Sequence, residues 1–309
     1  MKLTTQNIKK YLDNPKKKFK IFNLPLTKKE LTILSDLKLP KNTTSFIHFG
    51  KEKDIKNLDD FLLSLGDNSP EHIEFLERKI REIFKTVVKG YNLKDALFEI
   101  RITYKDPSFD IRRWHTDGFQ FPRYKDEIQS KFVMVLKGKH TLLLEETEKE
   151  KKFYLDMINK ELEKEKMYLP YPFEIPEWKD LKMKYRKILD KKFKNSKIIQ
   201  PLNSQGFIFL NHPGNLFEYG AIHSEPKKDD YRMFISILPG TEEEIKNKKH
   251  RTIGTPEKKD TANKLFREEL ENKQFINKPL KIIKSQDGGD NNYYQKYVKY
   301  KTKYLEQKV

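Results

Sequence analysis

The period of the apolar positions changes along this chain, and the change divides it. From Ser69 the spacing is helical. Ser69 stands as an N-cap with Pro70 at the first helical position, and Ile73, Leu76, Ile80, Ile83, Phe84 and Val87 share one face before Gly90. That stripe predicts a helix packed against a sheet, and the first hundred residues read mainly as helix and connecting loop. Beyond them the period falls to two. Phe98, Ile100, Ile102 and Tyr104 alternate with Glu99, Arg101 and Thr103, the pattern of a half-buried strand. Phe132 to Leu136, Gly206 to Leu210 and Met233 to Leu238 are short apolar runs rich in β-branched and aromatic residues. Short strands separated by turn signals predict a sandwich or barrel.

Between Glu145 and about Ile199 the sequence becomes highly charged and helix-prone, broken at Leu169-Pro170-Tyr171-Pro172 and Ile175-Pro176. We read residues 146–199 as an insertion between strands, either a solvated helical decoration or a lid or substrate-recognition arm. After Gln286-Asp287-Gly288-Gly289-Asp290, a linker, Tyr293, Tyr297, Tyr300 and Tyr304 recur at heptad-like spacing among lysines and predict a tail helix. The expected organisation is therefore a helical N-terminal layer (1–94), a core (95–282) carrying the insertion, and a linker with a C-terminal helix (283–309).

Composition narrows the chemistry. A chain of 309 residues that is 36% hydrophobic can bury a sizeable core. It has no cysteine, which excludes disulfides, thiolate metal sites and cysteine nucleophiles, and leaves His, Asp and Glu as the strong metal ligands. No stretch approaches eighteen uninterrupted apolar residues and the N-terminal segment has no apolar signal core, so we expect no transmembrane segment and an intracellular, cytoplasmic location. The net charge of +18 favours anionic partners, but the lysine excess is also what AT-rich coding would give. Weak, sequence-independent, salt-sensitive nucleic-acid binding is the expectation.

The candidate chemistry begins at Arg113-Trp114-His115-Thr116-Asp117-Gly118. In a strand, His115 and Asp117 point to the same side and Trp114 to the other, while Gly118 lets the chain turn away. A second histidine, His223, precedes the run that ends at Leu238, and Arg232 follows it by nine residues. His212, in Asn211-His212-Pro213-Gly214-Asn215, is a rival ligand or a residue of the site's mouth. The other histidines read as packed (His48), solvent-facing (His72, His250) or turn residues (His140).

A His-x-Asp near the first core strands, a distant histidine, and a basic residue nine or ten positions later form the pattern of Fe(II)/2-oxoglutarate-dependent oxygenases. From about Leu97 to Pro239, without the insertion, the chain resembles that superfamily. The resemblance implies a mainly β fold with flanking helices (α+β), a double-stranded β-helix or jelly roll with helical N-terminal layer, insertion and tail. It implies Fe(II) held by His115, Asp117 and His223. It also implies 2-oxoglutarate anchored through its distal carboxylate by Arg232, with a hydroxyl of Ser236, Thr141 or Tyr219 assisting. Many relatives place a serine two residues after the arginine, where this chain has Phe234. The second arginine of nucleic-acid demethylases is missing, Leu238 standing in its place. Phe119 and Gln120 fall where relatives contact substrate. The expected activity is a hydroxylase-type oxidation of a protein side chain, a nucleobase or a small molecule. The rival is a non-catalytic jelly-roll protein that binds nucleic acid or an acidic protein. Separately, Asn292 to Leu305 resembles the Tyr/Lys-rich C-terminal tails of many giant DNA virus proteins, which implies an address or assembly element and, if viral, the host cytoplasm.

Overall fold

A strand with apolar residues on both faces needs cover on both, and helices supply it on one side of the main sheet, a second sheet on the other. The structure, a computed structural model, describes residues 1–107, 110–165 and 176–275. The Leu169 to Pro172 break, the linker after 275 and the Tyr/Lys-rich tail lie outside them.

The larger sheet contains β1 (Phe19–Asn23), β2 (Thr44–Gly50), β3 (Asp95–Thr103), β4 (Ile128–Lys137), β7 (Gln205–Pro213) and β9 (Arg232–Gly240), in the order β1-β7-β4-β9-β3-β2. The smaller sheet orders β6 (Ile198–Ile199), β5 (Leu142–Leu144) and β8 (His223–Ser224), and a single antiparallel bridge adds His115 to His223. From β3 onward the chain crosses between the sheets: β3 in the larger, His115 in the smaller, β4 in the larger, β5 and β6 in the smaller, then β7, β8 and β9 alternating. All the strand pairings are antiparallel. This is a double-stranded β-helix, and it places His115 and His223 side by side although more than a hundred residues separate them.

Period-two burial divides the larger sheet's faces. Phe98, Ile100, Ile102, Phe132, Met134, Ile208, Met233, Ile235 and Ile237 face outward into one core with α1 (Thr5–Asp13), α2 (Lys28–Asp36), α3 (Leu58–Leu63) and α4 (Pro70–Gly90). The α4 helix starts as expected, Ser69 Oγ accepting from the His72 amide, and its Phe84 ring meets Phe98 edge-on at 5.7 Å. Phe207, Phe209 and Val133 face inward with Leu143 of the smaller sheet and with Ala221, two residues before β8.

Two expectations are corrected. The N-terminal segment is more than a helical layer, because β1 and β2 form both edges of the larger sheet. The insertion is more than a solvated decoration. Its helices α5 (Glu148–Glu165) and α6 (Pro176–Lys192) belong to a core in which Tyr154, Met157, Leu189 and the following Phe193 pack with Trp114, Leu144 and Ile222 on the back of the smaller sheet. Ile198 and Ile199, placed at the insertion's end, are β6 itself. After β9, a capping box of Thr241 and Glu244 starts α7 (Glu242–Ile253), and α8 (Pro256–Phe275) follows. Ile245 of α7 packs with Phe121, Leu238, Leu97 and Phe49, so α7 lies against the inward pleat of β2, β3 and β9.

Gly138, after β4, has φ of 87°, and a Cβ there would sit 2.0 Å from the Tyr231 carbonyl oxygen. Gly138→Ala should destabilise the protein by roughly 1–3 kcal/mol, read as a lowered urea midpoint with unchanged m-value. An unchanged midpoint would show that the turn relaxes freely.

Candidate metal centre

Three side chains converge where the smaller sheet closes on the larger. His115 and Asp117 share one side of their extended segment, as the i, i+2 phase requires, and β8 supplies His223 across the bridge. Asp117 Oδ1 lies 3.6 Å from His115 Nε2 and 3.7 Å from His223 Nε2, and one donor atom from each of the three residues falls within 4.8 Å of the others. Both imidazoles are held in the tautomer a metal needs. His115 Nδ1–H donates to the Arg113 carbonyl at 2.7 Å and His223 Nδ1–H to the Ala221 carbonyl at 3.0 Å, leaving each Nε2 lone pair toward Asp117.

Electrostatics favours the same ligand states. Burial pushes the His223 imidazole down to about 4, with the neighbouring His115 charge adding to the effect, so it is neutral at physiological pH. Burial works to raise Asp117, but Lys131 and the two imidazoles overcome it and hold the carboxyl well below the usual range. Lys131 Nζ lies 2.5 Å from Asp117 Oδ2, so one carboxylate oxygen is tied to β4 while the other faces the histidines. Sequence reasoning missed Lys131. Its only signal was a lysine directly before the apolar run Phe132 to Leu136, on the same pleat as Val133.

Arg232 opens β9 on the inward face. It is 4% exposed, its Nε donates to the Lys139 carbonyl at 3.0 Å and its Nη2 to Thr141 Oγ1 at 2.9 Å, and its guanidinium lies 4.7 Å from the Phe234 ring centre. Burial lowers it to about 10. No carboxylate among the described residues is within ion-pair distance. Asp229 pairs with Lys139, and Asp230 accepts from the Tyr231 amide. Thr141 therefore supplies the hydroxyl beside Arg232. Ser236 shares the strand face but stands two pleats away, about 13 Å along the strand, and the Tyr219 hydroxyl donates to Glu146 at 2.6 Å.

The remaining candidates have partners of their own. His212 is not with them: its Nε2–H donates to the Lys125 carbonyl at 2.8 Å and its ring lies 4.0 Å from that of Phe119. The Gln120 side-chain oxygen accepts from Lys248 Nζ at 2.9 Å, and its carbonyl accepts from Arg251 Nη2 at 2.5 Å. Trp114 points away from the ligands, as its phase requires, and meets Phe193 edge-on at 5.7 Å. His140 is buried and pushed down to about 3, first by burial and then by Arg232.

The donor set itself is informative. Two neutral imidazoles and one carboxylate on one side of a cation leave the opposite positions open, the arrangement of non-haem Fe(II) oxygenases. The buried guanidinium of Arg232, with no carboxylate in ion-pair distance among the described residues, fits an anion of its own.

No family model matches the chain, and no curated protein matches it. Among solved structures the chain is similar to the Kdo hydroxylase KdoO, a non-heme Fe(II) alphaketoglutarate-dependent dioxygenase, with 11% identity, TM-score 0.39, and coverage of 85% of this chain and 92% of that one. It is also similar to a prolyl hydroxylase from Trichoplax adhaerens at 11% identity and TM-score 0.31, covering 78% of this chain and 91% of that one. A Pseudomonas putida prolyl-4-hydroxylase aligns at 10% identity and TM-score 0.33, covering 76% and 97%.

Proposed function

We propose that this protein is an Fe(II)- and 2-oxoglutarate-dependent oxygenase, most simply a hydroxylase. The observation that carries the reading is the convergence of His115, Asp117 and His223, together with a buried arginine on the inward face of β9 that has no carboxylate within ion-pair distance among the described residues. His115 Nε2, Asp117 Oδ1 and His223 Nε2 would hold the metal, and Arg232 with Thr141 would take the distal carboxylate of 2-oxoglutarate. When bound, iron and 2-oxoglutarate supply the oxidation: with dioxygen the 2-oxo acid becomes succinate and carbon dioxide, and one oxygen atom enters a substrate C–H bond.

The protein's share is orientation. The Arg113 and Ala221 carbonyls lock the imidazole tautomers, and Lys131 fixes Asp117 so that one oxygen faces the metal position. Phe207, Phe209, Val133 and Leu143 form a dry floor between the sheets, which strengthens the charged contacts above it. Lys131→Met should weaken Fe(II) binding by about ten- to a hundredfold, because a partner that orients a metal ligand is worth that much. Competition against a colorimetric chelator reads the change, and an unaltered affinity would remove Lys131 from this role.

The test of the function is mass spectrometry of protein, nucleic-acid and metabolite pools incubated with the full chain, Fe(II), ascorbate and 2-oxoglutarate. A species that gains one oxygen atom only when all components are present supports an oxygenase. Binding without any oxidised species favours a jelly-roll binding protein.

A further inference from the structure

The smaller sheet covers only part of the larger sheet's inward face. Over β2, β3 and β9 that cover is α7, whose Ile245 packs with Phe49, Leu97 and Leu238. Lys248 stands one turn further along α7, and its Nζ reaches the side chain of Gln120, three residues after Asp117, at 2.9 Å. The helix therefore sets a cation against the segment that carries Asp117, and the charges of Lys131 and Asp117 act on it there.

Four other cations of this region have carboxylates of their own. Lys131 is paired with Asp117, Arg101 with Glu99, Arg113 with Glu225, and Arg123 with Glu244. Lys248 has none within ion-pair distance among the described residues, and its hydrogen bond is to a neutral acceptor, the Gln120 amide oxygen at 2.9 Å. Arg251, a turn later, is in the same position: it binds the Gln120 carbonyl and stacks on Phe266. Two half-buried cations thus clamp one residue, three positions after Asp117, without a counter-charge. Burial and the charges of Arg251 and Lys131 oppose a charged lysine there and outweigh the support of Asp117 and Glu99, so an arriving anion would favour it. An oxyanion is a stronger acceptor than the Gln120 amide and would displace it from Lys248.

We propose that the substrate carries an anionic group, a carboxylate or a phosphate monoester, and that Lys248 receives it on the α7 side of the metal centre. This rests on the oxygenase reading above. Gln120 then acts as the acceptor that occupies Lys248 until substrate binds, which places it at the edge of the substrate site. Arg251 supports the subsite by holding the Gln120 main chain.

The test follows the amine directly. The full chain, loaded with Fe(II) under anaerobic conditions and without 2-oxoglutarate, is reductively methylated in sulfate, in acetate, or in chloride of matched ionic strength, and peptides are quantified by mass spectrometry. Sulfate stands for a phosphate monoester and acetate for a carboxylate. Lys246, exposed on the same helix, is the internal control. Saturating sulfate or acetate should slow modification of Lys248 by about tenfold relative to Lys246, the scale of one charge-assisted contact. The more protective anion identifies the group. Equal rates at both lysines in all three salts would overturn the proposal. In a second arm, small molecules from an extract that gain oxygen should carry a carboxylate or phosphate, and Lys248→Met should cut their yield about tenfold or more without altering 2-oxoglutarate affinity. A neutral oxidised product, or an unchanged yield in Lys248→Met, would also overturn it. Because the labelling arm involves no turnover, its failure removes the anion subsite alone, whereas intact protection without any oxidised product contradicts the oxygenase reading instead.

Discussion

Asp117→Ala should abolish most Fe(II) affinity while leaving the fold in place. Asp117 Oδ1 faces both imidazole Nε2 atoms, and the substitution leaves two imidazoles and no carboxylate ligand beside the cation Lys131. Losing a ligand should cost more than the roughly ten- to hundredfold that the loss of an orienting partner costs, so a fall beyond about a hundredfold is expected. The residue belongs to none of the hydrophobic cores, and the thermal midpoint should move little. Anaerobic metal titration and a circular-dichroism melt read the two quantities together. Wild-type iron binding in this variant would defeat the ligand assignment.

Arg232→Ala should raise the 2-oxoglutarate requirement by about ten- to a hundredfold, equivalent to roughly 1.5–3 kcal/mol for a charge-assisted contact, and should spare Fe(II) binding. The alternative, a surface arginine paired with Asp229 or Asp230, is not what the structure shows: Arg232 is 4% exposed and both aspartates are engaged elsewhere. The Lys139 carbonyl and Thr141 fix the guanidinium plane, so the donors left over are already aimed. Arg232→Lys should recover part of the loss by keeping the charge but not the fork. Measuring succinate formation against 2-oxoglutarate concentration separates the three proteins. Identical curves would remove Arg232 as the anchor.

Much of this was legible in local pattern. Period two predicted the two faces of β3, and the i, i+2 phase put His115 and Asp117 on one side with Trp114 on the other. The joining of His223 to them was not local. It came from the order and spacing of residues, because a crossing between sheets leaves no periodic trace. The edge strand β1 was missed for a related reason: it is five residues long, and its partner β7 lies far along the chain. Strand phase pointed to Ser236, whereas Thr141 arrives at Arg232 from outside β9 altogether. Lys131 and Lys248 show the same limit. A lysine beside an apolar run, or on a well-capped charged helix, is visible as a residue, but the sequence does not say what it faces. The insertion's charge masked the few apolar residues that dock it on the smaller sheet.

Succinate production tests the central claim most directly. Full-length protein with Fe(II), 2-oxoglutarate, dioxygen and a substrate pool should form succinate mole for mole with the 2-oxoglutarate consumed, only when iron is added and not in Asp117→Ala. Binding of iron and 2-oxoglutarate without succinate above the protein-free control would contradict it, and would leave a jelly roll that holds these ligands without turnover.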